Sequence, residues 1–467
     1  MDPLILARWQ FGITTVYHFL FVPLTIGLSF TVAGLQTAWW RTGSEKYLRL
    51  TRFFGELFLV NFALGVVTGI VQEFQFGMNW SGYSRFVGDI FGAPLAIEGL
   101  LAFFLESTFL GLWIFGWGRL RPGVHLATIW IAAIGTAISA YIILAANAWM
   151  QHPVGYAVNE AAGRAELKDF LAVLTNSTAL ITFPHTIAAA FMTTGAFVAG
   201  ISMWRLLRGA GGEDDAPFRG AARVGAVMVL VSGLAVLVTG DVQGKIMTEQ
   251  QPMKMAAAEA LWETEQPASF SIFTIGTPDG SEDVFSIRIP NVLSFLATGT
   301  FDGKVEGIND LQVKMEQLYG PGDYTPNTPV TYWTFRWMIG MGALAALAAA
   351  WFLWSMRRGR VPRRGAVLTA IVLPFLPLAA NSFAWMFTEI GRQPWIVYGL
   401  MSTAAGVSPT TDTLLVAITL VGFTILYGGL ALVMVGLVVR RTRAGLPPAT
   451  SDRGFEHEAE PELGLGY

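Results

Sequence analysis

The chain contains no cysteine. That absence removes disulfides, thiolate nucleophiles, iron–sulfur clusters, c-type haem attachment and Cys-ligated zinc together. Any redox centre must rest on His, Met, Tyr or carboxylate side chains. Charge is scarce as well: 13% of the 467 residues are Asp, Glu, Lys or Arg, about half the ~25% of a soluble domain. The 30 basic and 33 acidic residues leave a net charge of −3, so no basic face points to nucleic acid and no acidic tail to a charged partner. Residues 1–8 lack the cationic start and small-residue cleavage site of a signal peptide, and the apolar run that follows is too long to be one. The first apolar helix is expected to be retained.

What the chain does have is apolar length, at 53% hydrophobic residues. A bilayer core about 30 Å thick needs ~20 apolar residues per helix. About nine segments meet that test, at 11–39, 53–73, 92–117, 124–149, 176–205, 220–241, 331–355, 366–388 and 412–439, which predicts an all-α integral membrane protein. The odd count puts the termini on opposite sides. Lys and Arg accumulate in alternate connections: Arg41, Lys46, Arg49 and Arg52; Arg119 and Arg121; Arg205, Arg208, Arg219 and Arg223; Arg357, Arg358, Arg360, Arg363 and Arg364; Arg440, Arg441 and Arg443. By the positive-inside rule these face the cytoplasm, with the N-terminus outside and the C-terminus inside. The chain thus divides into 1–241, helices one to six; 242–330, an external loop rich in Gly, Pro, Asp and Glu; 331–440, helices seven to nine; and 441–467, a cytoplasmic tail expected to be disordered. A loop as long as 242–330 is usually functional or disordered.

Ionisable residues inside a span cost several kcal/mol and call for a reason. His18 lies a third of the way down span one, Glu98 and Glu106 early in span three, His185 early in span five. Arg336 and Met338 open span seven; Glu389 and Arg392 close span eight. With alternate spans running in opposite directions, nearly all of these fall in the outer half of the membrane beside the long loop. His and Met are ordinary axial ligands of a low-spin haem, and a single imidazole can hold a haem whose sixth position is open to O2. His185 and Met338 suit the first role and His18 the second; the bland alternative is a hydrogen-bonded core histidine and a core-filling methionine. Glu98 and Glu106, about 12 Å apart on a regular helix, suit a proton relay, or else each is an uncharged acid bonded to a neighbouring helix. Arg336 and Arg392 are planar partners for buried carboxylates such as haem propionates; a helix cap with a local Glu389–Arg392 pair is the plainer reading. Lys254 and Glu259 read as an amphipathic helix at the interface, with solvated surface charge as the alternative.

The longer motifs carry a resemblance. Tyr17-His18-Phe19-Leu20-Phe21-Val22-Pro23, Glu73-Phe74-Gln75-Phe76-Gly77-Met78-Asn79-Trp80, the run from Gly92-Ala93-Pro94 through Glu98-Gly99 to Glu106-Ser107-Thr108-Phe109, and Gly391-Arg392-Gln393-Pro394-Trp395 resemble subunit I of the cytochrome bd quinol oxidases over almost the whole chain. The resemblance implies a terminal respiratory oxidase of the bacterial cell membrane that oxidises quinol outside and reduces O2 to water, generating proton motive force without pumping. It implies a low-spin haem b on His185 and Met338, and a high-spin haem b and a haem d on His18 and Glu389 in an order left open. It further implies Glu98 beside the O2-reducing site, Glu106 in the proton path, Lys254 and Glu259 in quinol oxidation, Arg336 and Arg392 near haem edges, and Trp385 between haems. The implied partners are quinol, O2, a second large membrane subunit and, as an optional addition, a small single-span one. Ubiquinol and menaquinol stay equally open. One departure is visible: the chain passes from Leu318 to Tyr332 with little added, like the members that lack a long insertion late in the loop. Two other classes compete, a proton-coupled transporter, which would show inverted repeats that are not evident here, and a haem-bearing electron-transfer anchor that does not react with O2.

Overall fold

The computed structural model describes residues 3–209, 212–277, 280–357 and 365–448. Arg358, Arg360, Arg363 and Arg364, and the tail beyond 448, lie outside them. Among the described residues nine helical spans are long and apolar enough to cross a membrane: Pro3–Thr42, Glu45–Met78, Ser81–Phe115, Pro122–Gln151, Phe170–Arg208, Asp215–Gln250, Thr328–Ser355, Gly365–Ile390 and Thr413–Ala444. The expected all-α, multi-span architecture is the one adopted. The helices outrun their apolar runs. The third begins at Ser81 rather than 92 and the sixth continues to Gln250 rather than 241, because hydrogen bonding carries a helix past the bilayer core wherever no breaker intervenes. The long connection therefore starts at 251. The ninth span continues to Ala444, and the stretch after it is ordered at its start: Leu446 is buried and Arg49 Nε donates to the Pro447 carbonyl at 2.8 Å. The expectation of disorder from 441 onward fails for these residues, since ion pairs of Asp214 with Arg49 and Arg205 hold the underlying surface in place.

Chain breaks place the chemistry. Span one stops at His18 and restarts at Val22, with Pro23 in the first turn, where a missing N–H costs nothing. Span eight breaks at Leu373-Pro374 before Phe375–Ile390. Asn176, Asn327 and Asp412 cap the fifth, seventh and ninth spans, each side chain accepting backbone N–H groups of the first turn. Spans five and six lie together along most of their length. A Cβ on Gly195 would sit 2.7 Å from the Gly225 carbonyl, the close approach that small residues permit between membrane helices.

Two apolar cores are the largest among the described residues. The larger, around Leu28, Phe53, Phe54, Trp113, Phe218 and Phe352, fills the arginine-rich half. The smaller, around Trp80, Tyr83, Phe91, Trp149 and Val397, lies on the face of the long connection. That connection is folded, comprising a short helix Pro252–Glu259, an antiparallel hairpin of Phe270–Gly276 with Asp283–Ile289, and helices Val292–Thr298 and Ile308–Tyr319. Pro252–Glu259 is not the amphipathic surface helix expected. Every residue from Met253 to Glu259 is buried, because the helix is tucked between spans six and seven and Ile308–Tyr319.

Candidate functional site

Beneath Pro252–Glu259, spans four, five, six, seven and eight surround a cavity holding about 1140 Å³ of empty space, open mouth included. His185, Met338, Trp385 and Lys254 all line it. His18 stands just outside; its neighbour Phe19 lines the wall and packs edge-on against Trp385, ring centroids 5.0 Å apart.

The two histidines are held alike. His18 Nδ1 lies 2.9 Å from Thr68 Oγ1, and His185 Nδ1 lies 3.0 Å from Thr239 Oγ1. Each threonine is followed by a glycine that faces the ring: a Cβ on Gly69 would meet His18 Cε1 at 3.1 Å, and one on Gly240 would meet His185 Cε1 at 3.4 Å. Among the described residues no three His, Asp or Glu side chains converge to hold a bare metal ion. An iron bound here must bring in-plane donors of its own, as haem does.

The arginines supply a second test of that fit. Arg336 Nη2 pairs with Glu259 Oε2 at 2.7 Å, and Nε and Nη2 donate to the Ser271 carbonyl at 3.0 and 2.6 Å. Arg392 Nη2 pairs with Glu389, and Nε donates to the Trp395 carbonyl at 3.4 Å. In each guanidinium Nη1 is buried with no hydrogen-bond partner. Such an orphaned charged donor calls for an anion, and haem propionates are of that kind. The residues present fit haem. Glu389 is already oriented: Asn147 Nδ2 donates to Oε1 at 3.0 Å and Arg392 holds Oε2, and each oxygen keeps a further lone pair.

Lys254 and Glu259 are 5% and 2% exposed, which removes the solvated-surface reading. They face different ways. Lys254 Nζ donates to the Thr388 carbonyl at 3.0 Å and to Gln151 Oε1 at 3.2 Å, on the Glu389 side. Burial pushes its amine down to about 7, with Arg392 adding and Glu389 opposing. Glu259 turns instead to Arg336 and accepts from the Ser271 amide at 3.3 Å. Burial pushes its carboxyl up, against Arg336. The Ser271 hydroxyl in turn lies 2.8 Å from Tyr332 Oη and 2.7 Å from Thr274 Oγ1. Tyr332 and Thr274 line a second cavity of about 530 Å³ between the hairpin and the start of span seven.

Glu98 falls near the middle of the third helix rather than near its start, because that helix begins at Ser81. Glu98 and Glu106 both face span four: Ser139 Oγ donates to Glu98 Oε1 at 2.7 Å, while Glu106 packs on Gly135 and hydrogen bonds Thr136. On a regular helix, eight residues at about 100° each would splay them by about 80°. Residues Glu98–Phe103 form a π-helical segment, which absorbs one extra residue. Eight residues then count as seven, and the two carboxyls differ by only about 20°. Sequence reasoning missed Glu73, a carboxylate near the end of span two within electrostatic reach of Glu98, although its place in a mostly apolar run was a signal. It also missed Thr68, Thr239, Ser139 and Asn147, polar residues too ordinary to stand out alone.

A multi-span membrane protein with a cavity among its helices, shielded histidines and buried, partly unpaired arginines is the class this geometry defines. Residues 6–446 match the family model described as cytochrome bd terminal oxidase subunit I. The chain is 45% identical to the cytochrome bd ubiquinol oxidase subunit 1 of Bacillus subtilis, covering 95% of this chain and 94% of that one. It is 37% identical to the cytochrome bd-II ubiquinol oxidase subunit 1 of Escherichia coli, covering 88% and 90%. Its fold superimposes on the solved bd oxidase of Geobacillus thermodenitrificans with a TM-score of 0.85 at 28% identity, covering 95% of this chain and 99% of that one. The chain belongs to the cytochrome bd terminal oxidase subunit I family, a family of haem-bearing, multi-pass membrane quinol oxidases that work as complexes with a subunit II.

Proposed function

We propose that this chain oxidises quinol at the face of the long connection, which looks outward, and reduces O2 to water with protons drawn from the cytoplasm, so that charge separates without a pump. His185 and Met338 would hold a low-spin haem b, and His18 and Glu389 a high-spin haem b and a haem d. When bound, the haems supply electron acceptance and O2 reduction. The chain's own residues do the rest. Arg336 and Arg392 each offer a buried Nη1 to a propionate, and Trp385 and Phe19 exclude water between the His185 and His18 regions.

Quinol is assigned to the 530 Å³ cavity beside Trp262, Tyr332 and Trp333. From there the hydroxyls of Tyr332 and Thr274 meet that of Ser271, the residue whose backbone amide donates to Glu259; the raised affinity of that carboxyl for protons suits it to accept one. Lys254 lies on the far side of that helix and is assigned to orienting the Glu389 end of the large cavity. On the opposite approach, Glu106 and Glu98, aligned on span four with Ser139, are assigned to delivering protons. A second large subunit and a small single-span subunit would cover the lipid-facing spans.

The observation that carries this reading is the cavity that joins His185, Met338 and Trp385; the buried, orphaned Nη1 atoms of Arg336 and Arg392 support it. Visible spectra of the purified complex, with quinol-driven O2 uptake, test it. A chlorin band at the red end beside b-type bands is the expected result; b-type bands alone would leave an electron-transfer anchor, and no haem a transporter.

A further inference from the structure

Thr68 and Thr239 sit one turn of chemistry away from the candidate iron ligands, and their own hydrogens are already committed. Thr68 Oγ1 lies 3.1 Å from the Leu64 carbonyl and 3.0 Å from that of Gly65; Thr239 Oγ1 lies 2.7 Å from the Ala235 carbonyl and 3.3 Å from that of Val236. A carbonyl only accepts, so each hydroxyl has acceptors for its single proton on its own helix, and with the proton there it offers the histidine a lone pair. The short Nδ1 contact is then an Nδ1–H donation, and a neutral imidazole that carries its proton on Nδ1 has its lone pair on Nε2. The adjacent glycine supplies the second half of the device, since it lets the ring lie flat against the helix that holds it.

We infer that Thr68-Gly69 and Thr239-Gly240 are positioning pairs that fix the tautomer and the ring plane of His18 and His185, so that each presents Nε2 to a haem iron. The inference rests on the assignment of both histidines as ligands. Partners that hold a ligand's second nitrogen typically contribute 10–100-fold to metal affinity.

The test is spectral. Thr68→Val and Thr239→Val keep side-chain shape and remove the acceptor; Thr68→Ser and Thr239→Ser keep it. Haem stoichiometry, the reduction potential of each haem and, for the ferrous high-spin haem, the iron–histidine stretching band are recorded on the purified complex. Thr68→Val should weaken retention of a high-spin haem 10–100-fold and shift its iron–histidine band, leaving the low-spin haem untouched. Thr239→Val should shift the low-spin haem alone. Both serine variants should match wild type. Valine variants with unchanged bands, potentials and stoichiometry would overturn the inference, as would serine variants as defective as valine. If the valine variants do not accumulate, the iron–histidine band of Thr68→Ser decides: an unshifted band supports the pairing and a shifted one rejects it. Histidine variants separate this from the ligand assignment. If His185→Ala and His18→Ala leave every haem in place, the ligand reading fails; if they remove haem while Thr68→Val and Thr239→Val change nothing, only the positioning role fails.

Discussion

Glu259 and Arg336 meet at 2.7 Å with their side chains 2% and 11% exposed, tying the long connection to the seventh span two residues before Met338. The guanidinium is stacked over Tyr332 at 4.6 Å and Phe270 at 4.9 Å. Breaking a buried pair by removing one partner costs about 3–5 kcal/mol, whereas removing both is often close to neutral. Glu259→Ala should therefore lower thermal stability in detergent and depress quinol-driven O2 uptake. Glu259→Gln with Arg336→Met should recover most of the stability but not the uptake. A double variant as unstable as the single one would show that the pair is not the joint.

His185→Ala or Met338→Leu should remove the low-spin b haem, since loss of one strong axial ligand leaves a high-spin or empty site. Reduced-minus-oxidised spectra read this directly. Unchanged low-spin bands in both variants would cancel the assignment.

Glu106→Gln keeps size and hydrogen bonding but releases no proton. Haem reduction by quinol should survive while turnover to water falls by ~10²-fold or more, the scale of a lost acid–base group. Ser139→Ala should slow the same step less severely, because Glu98 loses a bond rather than its proton. Full-speed proton uptake during reoxidation of the reduced Glu106→Gln enzyme would end the relay.

Lys254 is pushed down to about 7 from its ordinary 10.5 by burial, with Arg392 adding and Glu389 opposing. Folding thus favours the neutral amine. Its contribution to stability is complete above 10.5 and is lost as pH falls through about 7, each pH unit in that window being worth up to about 1.4 kcal/mol. Wild type should gain thermal stability relative to Lys254→Met as pH rises from 7 to 10. A difference that stays flat over that range would contradict the burial of an uncharged lysine.

The spans were legible because an apolar run of twenty residues has few other uses in a chain so poor in charge. Their ends were not, since Ser81–Phe91 and Asp241–Gln250 continue as helix on hydrogen bonding alone. Glu98, His185 and Arg336 stood out by their insertion cost. Thr68 and Thr239 could not, because a threonine that bonds its own helix looks the same in sequence whether or not a histidine from another helix rests on it. The burial of Lys254 was hidden for a related reason: it comes from Thr388 and Gln151, more than a hundred residues away in either direction. The π-helical segment leaves no mark in composition.

That segment makes span three one residue longer than its path requires, and it gives the gene an unusual freedom there. A single-codon deletion within 99–102 would turn the wide turn into ordinary helix, keeping Glu98 and Glu106 on one face. The same deletion between 107 and 109 has no surplus to absorb it and would rotate everything beyond by about 100°, carrying Leu110 and Trp113 out of the larger core. Length variation among related chains in this span should therefore gather at the wide turn.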